Sequence, residues 1–121
     1  MFSILFADDD YSIKLVAEIY FKTNDFVCDF VKNGVEAVEK IKTNKYDLML
    51  LDISMPEKNG YEVLCESRQM NIKTPIFMLT GDCEASSRKK CIEAGANDYV
   101  NKPICLDELI LKIKTFLTQK E

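Results

Sequence analysis

Histidine is absent from the 121 residues of this chain, and so is tryptophan. The lack of histidine excludes histidine-containing catalytic triads, histidine metal ligands and a phosphohistidine carried by this chain. No apolar run approaches the roughly 20 residues that a membrane helix requires, so membrane insertion is not expected. The N-terminus also lacks a basic leader before its first apolar run. We therefore expect a cytoplasmic protein without a secretion signal.

An excess of basic residues is missing too, because 16 lysines and arginines face 20 acidic residues and the net charge is -4. Such a chain has no surplus of positive charge for phosphate backbones, which argues against direct binding of nucleic acid. The five cysteines are odd in number and show no C-x-x-C spacing. This pattern favours reduced thiols, mostly small core residues, over a disulfide framework or a zinc site.

Two hydrophobic patterns alternate along the chain, and each occurs five times. Short apolar runs bounded by turn residues predict strands at residues 4–7, 26–31, 46–52, 76–79 and 97–101. Apolar residues at helical spacing predict helices at residues 11–22, 35–42, 60–69, 85–94 and 106–118. The alternation predicts an α/β, doubly wound fold, with a parallel sheet covered by helices on both faces. Residues 1–121 contain no internal linker or repeat and are expected to form a single domain.

Polar residues follow four of the five predicted strands. They are Asp8, Asp9 and Asp10 after the first strand, Asp52 after the third, Thr80 after the fourth and Lys102 after the fifth. In open α/β sheets, ligands bind outside the carboxyl ends of the strands. The topology therefore predicts a single functional site at that edge, built from residues that are far apart in sequence.

Clustered carboxylates repel one another, and a bound divalent cation relieves this repulsion. Because all candidate ligands are oxygens, Mg²⁺ or Mn²⁺ suits the predicted site better than zinc. A metal ion, a lysine and a hydroxyl beside one carboxylate can stabilise a phosphoryl group in transfer. Asp52 stands alone at the end of a strand buried on both faces, and it is the best candidate for a nucleophile that becomes an acyl phosphate.

Five short motifs at the predicted strand ends resemble those of the receiver domains of two-component response regulators. They are Ala7-Asp8-Asp9, Leu51-Asp52-Ile53-Ser54-Met55-Pro56 through Gly60, Leu79-Thr80-Gly81, Ala94-Gly95-Ala96-Asn97-Asp98-Tyr99 and Lys102-Pro103. The match covers nearly the whole chain, and the layout is similar to that of single-domain chemotaxis regulators. The resemblance implies a flavodoxin-like (βα)5 fold whose five-stranded parallel sheet has the order 2-1-3-4-5.

The resemblance also implies roles for the carboxylates. Asp52 would accept a phosphoryl group from a sensor histidine kinase or a histidine phosphotransfer protein. Asp9, Asp52 and the backbone carbonyl of Ser54 would bind Mg²⁺ directly, and Asp8 would act through a water molecule. The domain would catalyse only its own phosphorylation and dephosphorylation, with no turnover of an external substrate.

A switch is implied by the same resemblance. Lys102 would pair with Asp52 and then with the phosphate, and the Lys102-Pro103 bond is expected to be cis. Thr80 would hydrogen-bond the phosphate and move toward it, while Tyr99 changes rotamer in concert. The face formed by the fourth helix, the fifth strand and the fifth helix would then bind a downstream protein.

A phosphohydrolase is the alternative hypothesis. The segment from Phe6 to Ser12 also resembles the D-x-D-x-[TV] nucleophile loop of haloacid-dehalogenase-type phosphatases, with Asp8 as nucleophile and Asp10 as acid/base. Against it, position 12 is serine and no second acidic pair follows a later strand. Asp10 also precedes the first predicted helix and is a favoured N-cap residue type, so we expect it to cap that helix.

Two further expectations concern the surroundings of the predicted site. In the family that the chain resembles, positions two residues beyond the phosphoacceptor and the switch hydroxyl tune the lifetime of the phosphoryl group. Those positions hold Ser54 and Asp82, and Asp82 is hypothesised to modulate hydrolysis. The chain ends shortly after its last predicted helix, so we expect no effector domain in it. It is either a stand-alone regulator or a receiver taken from a longer protein.

Overall fold

Five parallel strands form the central sheet, in the order β2-β1-β3-β4-β5. The computed structural model describes residues 1–81 and 85–119. The strands are β1 (Phe2–Ala7), β2 (Phe26–Val31), β3 (Leu48–Asp52), β4 (Ile76–Thr80) and β5 (Asp98–Asn101). The helices are α1 (Tyr11–Thr23), α2 (Gly34–Thr43), α3 (Gly60–Gln69), α4 (Ala85–Glu93) and α5 (Leu106–Gln119). The predicted fold class and strand order are confirmed.

The middle strand, β3, is buried along its whole length because helices cover both of its faces. Leu48 and Leu50 belong to the apolar cluster formed with α1 and α5. Met49 and Leu51 belong to a second cluster, formed with α2, α3 and α4. Successive side chains of a strand point to opposite faces, so an unbroken apolar run is needed where both faces are covered. The strand that ends in Asp52 is therefore held by packing on both sides.

Two strands, β3 and β1, begin two residues away from the predicted position, while the end of β4 and the start of β5 differ by one residue. β3 begins at Leu48, while Tyr46 remains in the preceding loop, where its hydroxyl donates a 2.7 Å hydrogen bond to Asp29 Oδ2 of β2. β1 begins at Phe2 because its first residues already pair with β2, starting at Phe26. An apolar run shows where a strand is possible, but pairing with the neighbouring strand decides where it begins.

No helix within residues 1–81 and 85–119 combines the length and the apolar character needed to cross a membrane. The four cysteines within the described residues are free thiols: Cys28 and Cys65 are half-buried, Cys91 is buried and Cys105 is exposed. Asp82, hypothesised to modulate hydrolysis, lies outside the described residues.

Candidate functional site

The pairing of β1 with β3 brings the predicted carboxylates together. Ala7 pairs with Leu51, so Asp8 and Asp52 follow at the same edge of the sheet. One carboxylate oxygen from each of Asp8, Asp9 and Asp52 lies within 4.8 Å of the others. The side chains of Asp8 and Asp52 are each 3% exposed, whereas Asp9 is exposed to solvent. The edge of the sheet thus presents two buried carboxylates and one that is open to the solvent.

Lys102 follows β5 directly and reaches both buried carboxylates. Its backbone N–H donates to the Thr80 carbonyl oxygen at 2.7 Å, which fixes the start of the β5–α5 connection beside β4. Its Nζ donates a 2.8 Å hydrogen bond to Asp52 Oδ2 and lies 3.2 Å from Asp8 Oδ2. The bond between Lys102 and Pro103 is cis, as the resemblance implies. The resemblance implies only the pair with Asp52, so the contact with Asp8, which follows β1 two strands away from β5, is an addition from the structure.

The two carboxylate oxygens of Asp8 have different surroundings. Oδ1 accepts a 2.9 Å hydrogen bond from the backbone N–H of Asp10. Oδ2 is buried and accepts no hydrogen bond from the described residues, and its contact with Lys102 Nζ is an ion pair at 3.2 Å. A buried carboxylate oxygen with unused lone pairs is a suitable ligand atom for a cation or an ordered water.

Asp10 caps α1, as predicted. Its Oδ1 accepts hydrogen bonds from the backbone N–H of Ser12 at 3.0 Å and from the Ser12 hydroxyl at 2.6 Å. These bonds from Ser12 hold the pKa of Asp10 below its usual value. A carboxylate stabilised in its ionised form is a poor proton donor, so the acid/base role that the phosphohydrolase hypothesis gives to Asp10 is disfavoured.

Burial shifts the pKa of Asp52 away from its usual value. Loss of hydration raises its pKa to about 6, and the neighbouring charge of Asp8 acts in the same direction against the hydrogen bond from Lys102. Burial alone would lower the pKa of Lys102. The hydrogen bond and charge of Asp52, together with the charge of Asp8, raise that pKa above its usual value. At neutral pH the site therefore holds an ionised Asp52 beside an ammonium group.

The β3–α3 loop (residues 53–59) folds back onto Asp52. The backbone N–H of Ser54 donates a 3.0 Å hydrogen bond to Asp52 Oδ1, so each oxygen of Asp52 has one donor. Asn59 and Glu62 form a reciprocal capping box that starts α3. Gly60 permits the close return of the chain, because a Cβ at this position would lie 2.2 Å from the Asp52 carbonyl oxygen.

The two predicted switch residues are both buried. Thr80 is the last residue of β4 and is 4% exposed, and its carbonyl oxygen accepts the bond from Lys102 described above. Tyr99 pairs with Met78 in the sheet and packs in the apolar cluster that includes α2, α3 and α4. Both residues therefore lie on strands that also position Lys102.

Comparison with known proteins decides the family. The family model for the response regulator receiver domain matches residues 4–114. The chain belongs to the response regulator receiver family. Members are phosphorylation-activated signalling switches of two-component systems, they bind Mg²⁺ at an acidic pocket, and they interact with histidine kinases or phosphotransfer proteins.

Curated relatives agree with this assignment. The chain is 38% identical over 114 residues to the transcriptional regulatory protein ResD of Bacillus subtilis, covering 94% of this chain and 47% of ResD. It is 35% identical over 118 residues to the transcriptional regulatory protein SrrA of Staphylococcus aureus, covering 98% of this chain and 48% of SrrA. The chain thus spans about half the length of the curated relatives it matches.

Solved receiver domains share the whole architecture. A response regulator receiver domain from Francisella aligns with a TM-score of 0.94 and 30% identity, over 100% of both chains. The receiver domain of a sensor histidine kinase from Pseudomonas aeruginosa, which holds a magnesium ion in its active-site cleft, aligns with a TM-score of 0.86 and 28% identity. That alignment covers 97% of this chain and 98% of the other.

The acidic edge of this receiver fits a hard divalent cation. All three clustered groups are carboxylates, which suit Mg²⁺, and the buried Asp8 Oδ2 accepts no hydrogen bond from the described residues besides its ion pair with Lys102. The family assignment does not favour the phosphohydrolase hypothesis, and neither does Asp8, whose buried Oδ2 is paired with Lys102.

Proposed function

We propose that Asp52 accepts a phosphoryl group from the phosphohistidine of a sensor histidine kinase or a histidine phosphotransfer protein. The observation that carries this proposal is the 2.8 Å hydrogen bond between Lys102 Nζ and Asp52, beside two more carboxylates within 4.8 Å. A nucleophile works best where it is ionised and where fixed charges stabilise the developing negative charge. Because the pKa of Asp52 is raised only to about 6, its carboxylate is ionised at neutral pH.

In the proposed transfer, a carboxylate oxygen of Asp52 attacks the phosphorus atom of the donor. The O–P bond forms as the P–N bond of the phosphohistidine breaks, and the electron pair of that bond stays on the imidazole nitrogen. Lys102 Nζ then hydrogen-bonds the phosphoryl oxygens and offsets their charge. Hydrolysis of the acyl phosphate restores Asp52 and releases phosphate, and we propose no other turnover for the domain.

The carboxylates would hold the divalent cation. In the proposed arrangement, Asp9, Asp52 and the backbone carbonyl of Ser54 bind Mg²⁺, or Mn²⁺ in its place, and Asp8 acts through a water molecule. When bound, the ion supplies positive charge that offsets the charges of the carboxylates and of the phosphoryl oxygens.

The proposed output passes through Thr80 and Tyr99 to the face formed by α4, β5 and α5, which would bind a downstream protein. Arg88 and Lys89 are exposed on α4 and are available for such a contact. We do not propose that this chain itself binds nucleic acid, since it has no basic excess. The proposal treats residues 1–121 as one receiver unit and locates it in the cytoplasm.

The test uses acetyl phosphate, a small phosphodonor that needs no partner protein. Wild type, Asp52→Asn and Asp8→Asn are incubated with acetyl phosphate and Mg²⁺, and the labelled residue is mapped by mass spectrometry. We expect Asp52 to carry the phosphoryl group in wild type and Asp52→Asn to remain unlabelled. Labelling that survives Asp52→Asn but disappears in Asp8→Asn would contradict the proposal and favour the phosphohydrolase hypothesis.

A further inference from the structure

Lys58 connects the β3–α3 loop to both of the helices that flank it. Its Nζ pairs with Glu66 Oε2 of α3 at 2.5 Å, with the two side chains 25% and 39% exposed. Its backbone faces Gly34, the first residue of α2, so closely that a Cβ on Gly34 would lie 2.0 Å from the Lys58 carbonyl oxygen. The same Cβ would lie 2.6 Å from Lys58 Cβ. One residue of the loop is therefore held from two sides.

The loop needs such anchoring because part of it is in an uncommon conformation. Glu57, the residue before Lys58, has a φ of 68°, in the left-handed region that glutamate rarely adopts. Residues in such conformations persist where the surrounding structure holds them. Within the loop, the Lys58 N–H donates to the Pro56 carbonyl oxygen at 2.7 Å, a tight local turn.

We propose that Lys58 is a positioning residue: by anchoring the β3–α3 loop to Gly34 and Glu66, it sets the Ser54 carbonyl in place for Mg²⁺. This inference rests on the proposed function, in which that carbonyl is a metal ligand. Lys58 would influence the position of the Ser54 carbonyl through the backbone of the loop, and Glu66 would do so by holding Lys58. Breaking the Lys58–Glu66 pair should therefore weaken Mg²⁺ binding although neither side chain is a proposed ligand.

Electrostatics alone makes a different prediction, which separates the two explanations. Replacing Lys58 by methionine removes a positive charge near the site, so a purely electrostatic effect would strengthen Mg²⁺ binding. Replacing Glu66 by glutamine removes a negative charge and would weaken it. Positioning predicts that both substitutions weaken Mg²⁺ binding, because each breaks the same anchor.

The experiment measures the Mg²⁺ dissociation constant from backbone amide shifts in NMR spectra, at constant ionic strength. The variants are Lys58→Met, Glu66→Gln and Lys58→Arg, which keeps a cation able to pair with Glu66. Lys89→Met is the matched control, because it makes the same chemical change in the exposed Lys89–Glu93 pair of α4, at 4.0 Å. Gly34→Ala perturbs the second anchor, and the other variants decide the question even if Gly34→Ala does not fold.

We expect Lys58→Met and Glu66→Gln each to raise the dissociation constant about threefold, below the roughly 10- to 100-fold typical of outer-shell partners because the pair is partly exposed. Lys58→Arg should bind Mg²⁺ with the affinity of the wild type, and so should Lys89→Met. Opposite shifts in Lys58→Met and Glu66→Gln, or shifts no larger than that of Lys89→Met, would overturn the inference while leaving the proposed function intact. Failure of the wild type to bind Mg²⁺ would overturn both.

Discussion

The two ends of the sheet hold a cationic side chain in opposite ways. At the carboxyl end, Lys102 lies between two carboxylates, yet Asp8 Oδ2 accepts no hydrogen bond from the described residues and the pKa of Asp52 is raised to about 6. At the amino end, the Arg68 guanidinium donates five hydrogen bonds of 2.7–3.1 Å. Its acceptors are the carbonyl oxygens of Ile72, Thr74 and Gly95 and Oδ1 of Asn97.

The comparison distinguishes the Lys102 site, which can still bind a ligand, from the Arg68 site, where the guanidinium already has its hydrogen-bond acceptors. Neutral oxygens surround Arg68, and together they tie the end of α3 to the segments that enter β4 and β5. Around Lys102, one ammonium group lies beside two buried carboxylates that repel each other. A bound cation would offset this repulsion and lower the free energy of the folded state. Removing the charge of Arg68 should therefore destabilise the fold, whereas removing the charge of Asp52 should stabilise it.

The largest effect is expected from Arg68→Ala. This substitution leaves several half-buried carbonyl oxygens without a donor, and we expect it to lower the free energy of unfolding by about 3 kcal/mol. Chemical denaturation of the metal-free protein measures the change. Arg68→Lys should recover only part of the loss, because one ammonium cannot reach all of the acceptors. A loss below about 1 kcal/mol would show that water replaces the guanidinium easily.

Asp52→Asn should have the opposite sign in the metal-free protein. Burial disfavours the ionised carboxylate, and its removal should raise the free energy of unfolding by up to about 3 kcal/mol at neutral pH, since the pKa rises from 3.8 to about 6 and one unit of pKa corresponds to ~1.4 kcal/mol. Chemical denaturation of both proteins over a range of pH measures the difference. Arg68 provides the contrast, because its removal should destabilise the protein at every pH in the range.

The pH dependence of this gain follows from the direction of the pKa shift. Well below the ordinary pKa of 3.8, Asp52 is protonated in both the folded and the unfolded state, so wild type and Asp52→Asn should differ little. As the pH rises from about 4 to about 6, the unfolded state loses its proton first, and the wild type loses stability relative to the variant. A stability difference that is constant with pH would show that the gain has another cause.

The smallest effect on stability is expected from glycine substitutions at two residues whose backbone has a positive φ. Glu57 near the carboxyl end and Asn71 at the amino end both have positive φ, at 68° and 61°. Asparagine tolerates this region and glutamate does not, so Glu57→Gly should stabilise the fold by up to ~1 kcal/mol and Asn71→Gly by much less. Thermal unfolding of the two variants measures the gain in stability. Equal gains would show that Glu57 is no more strained than Asn71.

The sequence was sufficient to predict the alternation of strands and helices, because each strand buried on both faces needs an unbroken apolar run. It also predicted the cluster of Asp8, Asp9 and Asp52, since parallel strands end at the same edge. The contact between Lys102 and Asp8 was not predicted, because it depends on how far the Lys102 side chain reaches across the end of the sheet, which the order of the strands does not report.

Other contacts were missed for a similar reason. The Lys58–Glu66 pair and the approach of Gly34 to Lys58 depend on how α2 and α3 pack around the loop, and spacing along the chain does not report that packing. A glycine in the turn just before the predicted helix at residues 35–42 was the only available signal for the second contact. The raised pKa of Asp52 likewise depends on burial, which a strand-end position suggests only in part.

Thermal unfolding with and without Mg²⁺ tests most directly whether a divalent cation completes the carboxyl end. At neutral pH, Mg²⁺ at ten times its dissociation constant should stabilise the wild type by about 1.4 kcal/mol, and this gain should shrink below about pH 6 as protons compete for Asp52. Asp52→Asn should gain much less. An equal rise in melting temperature in both proteins, or none in the wild type, would contradict the account.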